Sequence, residues 1–515
     1  MRRVGLAAAL LSASTLASRI LGQLREMALA WQFGASAQTD AYNAAFWLPD
    51  LLSYFLAGGA LSIAFMPGFS KALHEGREDD GWRLFSNIAN ITAVVLVAAI
   101  GVAWLAAPSI VSVMFAGFSA EQLATTTSLT RIILPGPIFF FVGGLLTATE
   151  NARGRFLAAA LSPLVYNVCI ILGGLLLGPS FGVAGFSWGV LLGSCLGPFL
   201  IPLLFARRSI RYSLAFSPRD PSVRAYYLTA LPLMLGVSLL TVDEWLLRHF
   251  GAALEPGTIT HLNNARKLML VPGGLIGQAV AQALLPFLTR DVAAGRDDLA
   301  HQSLVKAVRG TAVLATMAAV ALVALAQPAV SLVYQHGAFV AADADITASY
   351  LVAFAAALPS WCAASVISRG FYARSEMALP MKLSTLVTLA SYPVYALAVH
   401  LGGGSGLACA TAVGYLLHAM TLGGAFDRRH QVGVVRAYAV GVAEGAAAGT
   451  LGALPAWWLV THSAVASLPN GLMGNLVRCL VGGAIIAVVC LVWLGWRLPE
   501  VTQPVLRRVR RLARR

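Results

Sequence analysis

Apolar stretches of about 20 residues, long enough to cross a hydrocarbon core about 30 Å thick, recur along nearly the whole chain. They constrain the fold more than any other feature. In hydrocarbon every backbone N–H and C=O must be satisfied internally, and a single apolar run does that as a helix. Hydrophobic residues are 58% of the 515 and charged residues only 11%, with a mean hydropathy of +0.75, which excludes a soluble globular domain of this length. The expected fold is an all-α polytopic membrane protein. Fourteen transmembrane helices are predicted, near 4–31, 40–66, 84–108, 127–149, 157–178, 182–205, 226–250, 264–288, 308–334, 346–368, 379–401, 405–424, 435–460 and 474–496. A cleaved signal peptide is not expected, because Arg19 and Arg25 follow the first apolar core and further spans come at once.

Loop charges orient these helices. Alternate loops hold Lys71, Arg77 and Arg83, then Arg153 and Arg155, then the run from Arg207 to Arg224, and so on to Arg428, Arg429 and Arg436. With Arg2, Arg3, Arg497 and six arginines from Arg507 to Arg515, this side carries 29 of the 36 Lys and Arg. The opposite loops, such as FAGFSAEQ, GPSFG and LGGGSG, are nearly free of them. That asymmetry predicts both termini on the cytoplasmic side of the membrane. It accounts for the +14 net charge without nucleic acid, and the tail RRVRRLARR reads as an anchor near anionic lipid. The six cysteines form no CxxC pair and read as packing residues. There is no P-loop and no HExxH, so neither enzymatic activity nor a metal or cofactor is expected.

The two halves resemble each other. AFMPGFSKALHEG at 64–76 matches ALLPFLTRDVAAG at 283–295, Asn151-Ala152-Arg153 matches Tyr372-Ala373-Arg374, and GVAGFSWGVLLG around Gly185 matches GGSGLACATAVG around Gly406. The matches keep one order and nearly one offset. Spans one to six therefore correspond to seven to twelve, a parallel repeat with an even number of helices per unit. The expected division is an N-lobe at 1–225, a C-lobe at 226–430, and two further helices with a basic tail at 431–515. Such proteins place a substrate cavity between lobes and alternate its opening.

Seven cations remain outside the basic loops: Arg19, Arg25, Arg131, Arg248, Arg266, Lys267 and Arg478. An arginine at membrane depth costs about 2.5–3.5 kcal/mol on insertion scales, so it faces a wet cavity, a partner charge or an anionic ligand. Arg131 and Arg478 lie near span ends, where a long side chain snorkels. On the first helix, Ser14, Ser18, Arg25 and Gln32 fall on one stripe, with Arg19 about 120° away from Arg25 and about 9 Å lower. Glu26 and Asp40 are candidate counter-charges; simple pairing that fixes the bundle is the plainer alternative. The seventh span carries Asp243, Glu244 and Arg248, which either pair with one another or couple transport to a cation or proton. The eighth opens with Asn263, Asn264, Arg266 and Lys267. Cations on two lobes suit a diphosphate, because arginine presents forked donors to phosphate oxygens and lysine a point charge.

These residues sit in recognisable motifs. TLASRILGQLRE, FGASAQTDAYNAAFWLPDLL, GALSIAFMP, NARGRFLAAALSPLVYN, QHGAFVAAD and RGFYARSEMALPMKL resemble the MurJ/MviN lipid II flippases of the multidrug/oligosaccharidyl-lipid/polysaccharide exporter superfamily, over essentially the whole chain. The resemblance implies a flippase that moves an undecaprenyl-diphosphate-linked peptidoglycan precursor from the inner to the outer leaflet by alternating access. It implies as partners that lipid-linked substrate, membrane lipids, and proteins of cell wall synthesis or division. Ser18, Arg19, Arg25 and Asp40 match the family's functional positions, and Lys267 stands where its eighth-span arginine is expected. The chain departs from the family at three places. Ser53 and Tyr54 stand where the second span typically has an arginine, Gly58 replaces an acidic residue, and Arg266-Lys267 replaces Asp-Arg. The eleventh span, KLSTLVTLASYPVYALAV, offers no Asp or Asn for the sodium site of some members, although Asp243 matches the seventh-span acid. The alternatives are a flippase for another lipid-linked saccharide, a small-cation multidrug exporter, a membrane enzyme on lipid diphosphates, and a non-transporting scaffold. A multidrug exporter predicts acidic cavities and an enzyme needs acid/base clusters; the excess of cations fits neither.

Overall fold

In the computed structural model the described residues are 2–57, 59–235, 239–463, 465–469 and 471–497, and among them no strand occurs. The side chains of Arg2, Arg3 and Arg497, together with Gly58 and the basic tail Arg507–Arg515, lie outside what is described. The helices are α1 (Arg2–Phe33), α2 (Ala37–Ala45), α3 (Trp47–Leu52), α4 (Gly59–His74), α5 (Glu78–Met114), α6 (Ala120–Ile133), α7 (Gly136–Ala152), α8 (Leu157–Phe181), α9 (Ala184–Ser194), α10 (Ile201–Ala206) and α11 (Pro221–Leu235). They continue as α12 (Leu239–Gly251), α13 (Thr258–Gly273), α14 (Ala279–Ala293), α15 (Asp297–Ala324), α16 (Ala326–Tyr334), α17 (Ala341–Ala355), α18 (Leu358–Ala373), α19 (Ala378–His430), α20 (Val434–His462) and α21 (Leu472–Arg497). One compact unit comprises Met1–Gly236 with Glu255–Thr260; the other comprises Val237–Leu254 with His261–Arg515.

Among the described residues, eight helices are long and apolar enough to cross a membrane, or nine if the bent pair α17 and α18 is one span. Of the other predicted stretches, the first and the thirteenth are the continuous helices α1 and α20. The second, expected as one helix over 40–66, is broken into α2, α3, a π turn at Ser53–Ala57 and α4. Pro49 lacks an N–H and lies just ahead of the π turn, a known cause of a kinked ladder. Two further π turns, Cys195–Leu200 and Gly274–Gln278, interrupt the sixth and eighth stretches. The eleventh and twelfth run through α19, separated by a kink where Gly402 and Gly403 take φ of −146° and +54°.

Within the first unit α8 packs on α1 and α9. Glycines let the α8 and α9 backbones approach: a Cβ on Gly189 would lie 2.8 Å from the Cys169 carbonyl oxygen. A separate aromatic core joins Phe65, Phe69, Trp82 and Phe85. Within the second unit α20 packs along α15, with Gly441 and Gly445 against the Arg309 and Val313 carbonyls. Arg309 reaches Glu444 across that seam at 3.0 Å through Nε. α21 packs on α20 and α16.

The sequence repeat reappears as local geometry in each unit taken alone. Gly76 and Gly295, with φ of +72° and +69°, precede Arg77 and Arg296, whose φ/ψ are −97°/55° and −96°/58°. The helices that follow open on acidic residues, α5 with Glu78 and α15 with Asp297. Arg153, at the end of α7, pairs with Glu78; Arg374, at the end of α18, pairs with Asp297 at 2.9 Å. The next residues, Gly154 and Ser375, both have positive φ, +74° and +60°. Each arginine also covers an aromatic ring, Arg153 over Trp82 at 5.2 Å and Arg374 over Phe426 at 5.6 Å.

Candidate functional site

In the first unit the polar stripe of α1 forms the seam with α8. Ser14 is buried and donates to the Ala160 carbonyl. The Ser18 hydroxyl accepts from Asn167 at 3.3 Å, and Gln32 lies against Gly178. Gly22, one turn on from Ser18, also lies beside Asn167, whose Oδ1 is 3.9 Å from where a Cβ would stand. Arg25, on the same stripe, keeps 23% of its side chain exposed and donates to its neighbour Glu26 through Nη2 at 2.7 Å and Nε at 3.1 Å. Glu26 is buried, so the pair is anchored at its acidic end. Arg19 is exposed, off the stripe, as the helical rotation requires.

Asp40 sits elsewhere. It is buried in the first turn of α2, which Ser36 caps. Its Oδ2 accepts from the Gly257 N–H at 2.7 Å, and its Oδ1 from the Thr260 N–H at 2.8 Å and hydroxyl at 2.7 Å. A carboxylate thus satisfies the orphan donors that open α13, in the segment 255–260 that belongs to the first unit. Asn43, one turn on, donates to Thr260 at 3.2 Å. The sequence pairs Asp40 with the arginines of α1; the fold commits both its oxygens to this cap.

In the second unit four charges of α12 and α13 form a chain. Arg248 donates to Glu244 at 2.5 Å, an (i, i+4) pair on one helix. Glu244 accepts from Arg266 Nη1 at 3.2 Å, and Arg266 Nε donates to Asp243 Oδ2 at 2.8 Å. Arg248, Arg266 and Asp243 are buried, and Glu244 is one-third exposed. The other Asp243 oxygen accepts from the Tyr395 hydroxyl and from Thr411 at 2.8 Å. Two cations and two anions balance, so desolvation is offset inside the cluster. Lys267, next in sequence to Arg266, is half-buried. Of the alternatives the sequence leaves for Asp243, Glu244 and Arg248, mutual pairing is therefore present, and Arg266 joins it.

Tyr395 and Thr411 escaped the sequence reading. They lie 152 and 168 residues from Asp243, on either side of the Gly402–Gly403 kink, and neither carries a local signal. Asn167 had one, a lone amide in an apolar span. Among the described residues no three His, Cys, Asp or Glu side chains are grouped to hold a metal.

Residues 29–482 match the profile of the family described as Lipid II flippase MurJ. A relative from Bdellovibrio bacteriovorus, named Probable lipid II flippase MurJ, is 29% identical over 438 residues, 82% of this chain and 82% of its own. Another, from Burkholderia cenocepacia, named Lipid II flippase MurJ, is 28% identical over 424 residues, 80% of this chain and 81% of its own. Among solved structures, one described as Lipid II flippase MurJ in an inward closed conformation gives a TM-score of 0.78 at 22% identity, covering 94% of this chain and 98% of that one. An inward-facing multidrug resistance MATE transporter of the MOP superfamily gives 0.66 at 16% identity, covering 81% and 95%. These structural likenesses establish the fold.

Proposed function

The chain belongs to the Lipid II flippase MurJ family, and from that premise we propose that it is a lipid II flippase, carrying the undecaprenyl-diphosphate-linked precursor across the bacterial inner membrane for peptidoglycan synthesis. The lipid-linked substrate is held as a polyanion. The candidate contacts of the first unit are Arg19 and Arg25 on α1; that of the second unit is Lys267 on α13. Arg266, Arg248, Asp243 and Glu244 form the neutral support behind Lys267, and Ser18 sets the α1–α8 seam that aims Arg25. One observation carries this division of labour: the Arg266 side chain is only 5% exposed on Asp243, while Arg25, paired with Glu26, keeps 23% of its side chain exposed. The partly exposed cation is within reach of phosphate oxygens; the buried one is not.

Both termini lie on the cytoplasmic side in this scheme, as the loop charges demand. The lobes are 1–225 and 226–430, with 431–515 appended, and transport proceeds by alternating access without enzymatic chemistry. Complementation tests the proposal. The wild-type gene is expected to support growth of cells depleted of their own lipid II flippase. Arg25→Ala and Arg19→Ala are expected to fail while the protein still inserts at normal levels. Full growth with both variants would sink the assignment of these arginines. Failure of the wild type with normal insertion would redirect the substrate to another lipid-linked saccharide.

A further inference from the structure

Arg25, Arg248 and Arg266 each pair with a carboxylate; among the described residues none lies within ion-pair distance of Arg131. Its Nε donates to the Trp104 carbonyl at 3.1 Å, and its guanidinium carbon lies 4.4 Å from the centre of the Trp104 ring. It stands where α6 passes from its polar first turns, AEQLATTTSLT, to the apolar run IILPGPIFFF. It lines a groove of about 750 Å³ between α5, α6 and α9. Trp104 and Trp188 contribute to the walls, Leu123, Ile132 and Leu191 add apolar surface, and Ser128 adds a hydroxyl. Both tryptophans are more than 40% exposed, and the flanks around them are bare hydrocarbon: Val102, Leu105 and Leu192 are each more than half exposed.

We propose that this groove binds an anionic membrane phospholipid, with the Arg131 guanidinium on the phosphate and Trp104 and Trp188 against the glycerol and upper acyl chains. Three features select that occupant. The groove opens on a flank whose exposed valines and leucines require lipid as their solvent. A cation facing lipid without a protein carboxylate is stabilised by a phosphate, and the terminal N–H groups of a guanidinium match phosphate geometry as a fork. Paired tryptophans are the side chains that settle at the headgroup level, apolar in body and polar at the indole N–H. A soluble anion satisfies the charge and leaves the apolar walls wet; a zwitterionic lipid satisfies the walls and brings its own cation to Arg131. The proposal rests on the membrane fold and is independent of which lipid-linked substrate is transported.

Quenching of tryptophan fluorescence by brominated lipid tests it on the purified full-length protein in mixed micelles. Brominated phosphatidylglycerol is expected to quench more than brominated phosphatidylcholine. Trp104→Phe and Trp188→Phe should each remove part of that difference, and Arg131→Gln at least half of it. Arg131→Lys, which keeps the charge and loses the fork, should retain an intermediate preference and guards against a folding defect in the glutamine variant. Equal quenching by the two lipids in the wild type, or an undiminished preference in Arg131→Gln, overturns the proposal. Displacement by undecaprenyl phosphate at far lower concentration than unlabelled phosphatidylglycerol would also overturn it, by assigning the groove to the lipid carrier.

Discussion

Arg266 donates through Nε to Asp243 at 2.8 Å, and both side chains are buried. The pair joins α13 to α12, and the second Asp243 oxygen extends it to Tyr395 and Thr411 on α19. Three helices of the second unit thus meet on one carboxylate. The cationic wall suggested by Arg248, Arg266 and Lys267 in sequence is therefore mostly neutral in the fold. Lys267, the next residue along α13, is half-buried.

Breaking that pair from one side should be costly. Arg266→Met leaves Asp243 buried without its cation, a loss of about 3–5 kcal/mol for such pairs. The variant should lose thermal stability in detergent, read as the fraction surviving a heat step before size-exclusion chromatography. Arg266→Met with Asp243→Asn should recover much of the loss, because the uncompensated charge is gone. Equal instability of single and double variants would show that the pair's charges are not what holds α12 to α13.

Asp40 is expected to behave as a cap. Asp40→Ala removes the acceptor for the Gly257 and Thr260 N–H groups, at about 1–3 kcal/mol for buried donors left unsatisfied. Asp40→Asn keeps an acceptor oxygen and should fall between alanine and wild type in the same heat assay. Loss of complementation by Asp40→Asn with an unchanged melting profile would instead place this carboxylate in contact with substrate.

The α15–α20 seam has no room at its glycines. A Cβ on Gly445 would lie 2.6 Å from the Val313 carbonyl oxygen, which belongs to helix backbone. Gly445→Ala should cost about 1–3 kcal/mol by overpacking, and Gly445→Leu should prevent stable accumulation. Gly101→Ala is the control, since nothing lies within 4 Å of its added Cβ. It should match wild type in yield and melting.

The second span offers a gain rather than a loss. Ser53 is partly exposed at the C-cap of α3, where the π turn begins. Ser53→Arg should be tolerated for insertion and complementation. Inactivation with normal insertion would indicate a site rebuilt for a different headgroup.

Several features of the site were legible from local pattern. The rotation per residue places Ser14, Ser18, Arg25 and Gln32 on one stripe, and the structure keeps them there. What the stripe faces was not legible, because α8 begins 124 residues after α1 ends. The repeat was legible because helix starts and stops are local chemistry. The Gly76 and Gly295 turns and the acidic first turns need only a few neighbours each, whereas the closing arginines join them from 75 and 77 residues on. Asp40 misled because its nearest charges in sequence are the α1 arginines, while its partners lie 217 and 220 residues on.

The sequence by itself determined that this is a helical membrane protein, that its halves repeat, which loops are basic and which family it joins. Hydropathy, helix capping and loop charge act within a turn or two, so they are written along the chain. Only the tertiary structure decided which charges are spent. Burial raises the cost of an unpaired ion until it takes whatever partner the packing brings near. For Arg266 that partner is Asp243, and for Asp243 it is also Tyr395 and Thr411, contributed by a helix that starts far along the chain. For Arg25 it is its neighbour Glu26, and the arginine side chain stays partly exposed.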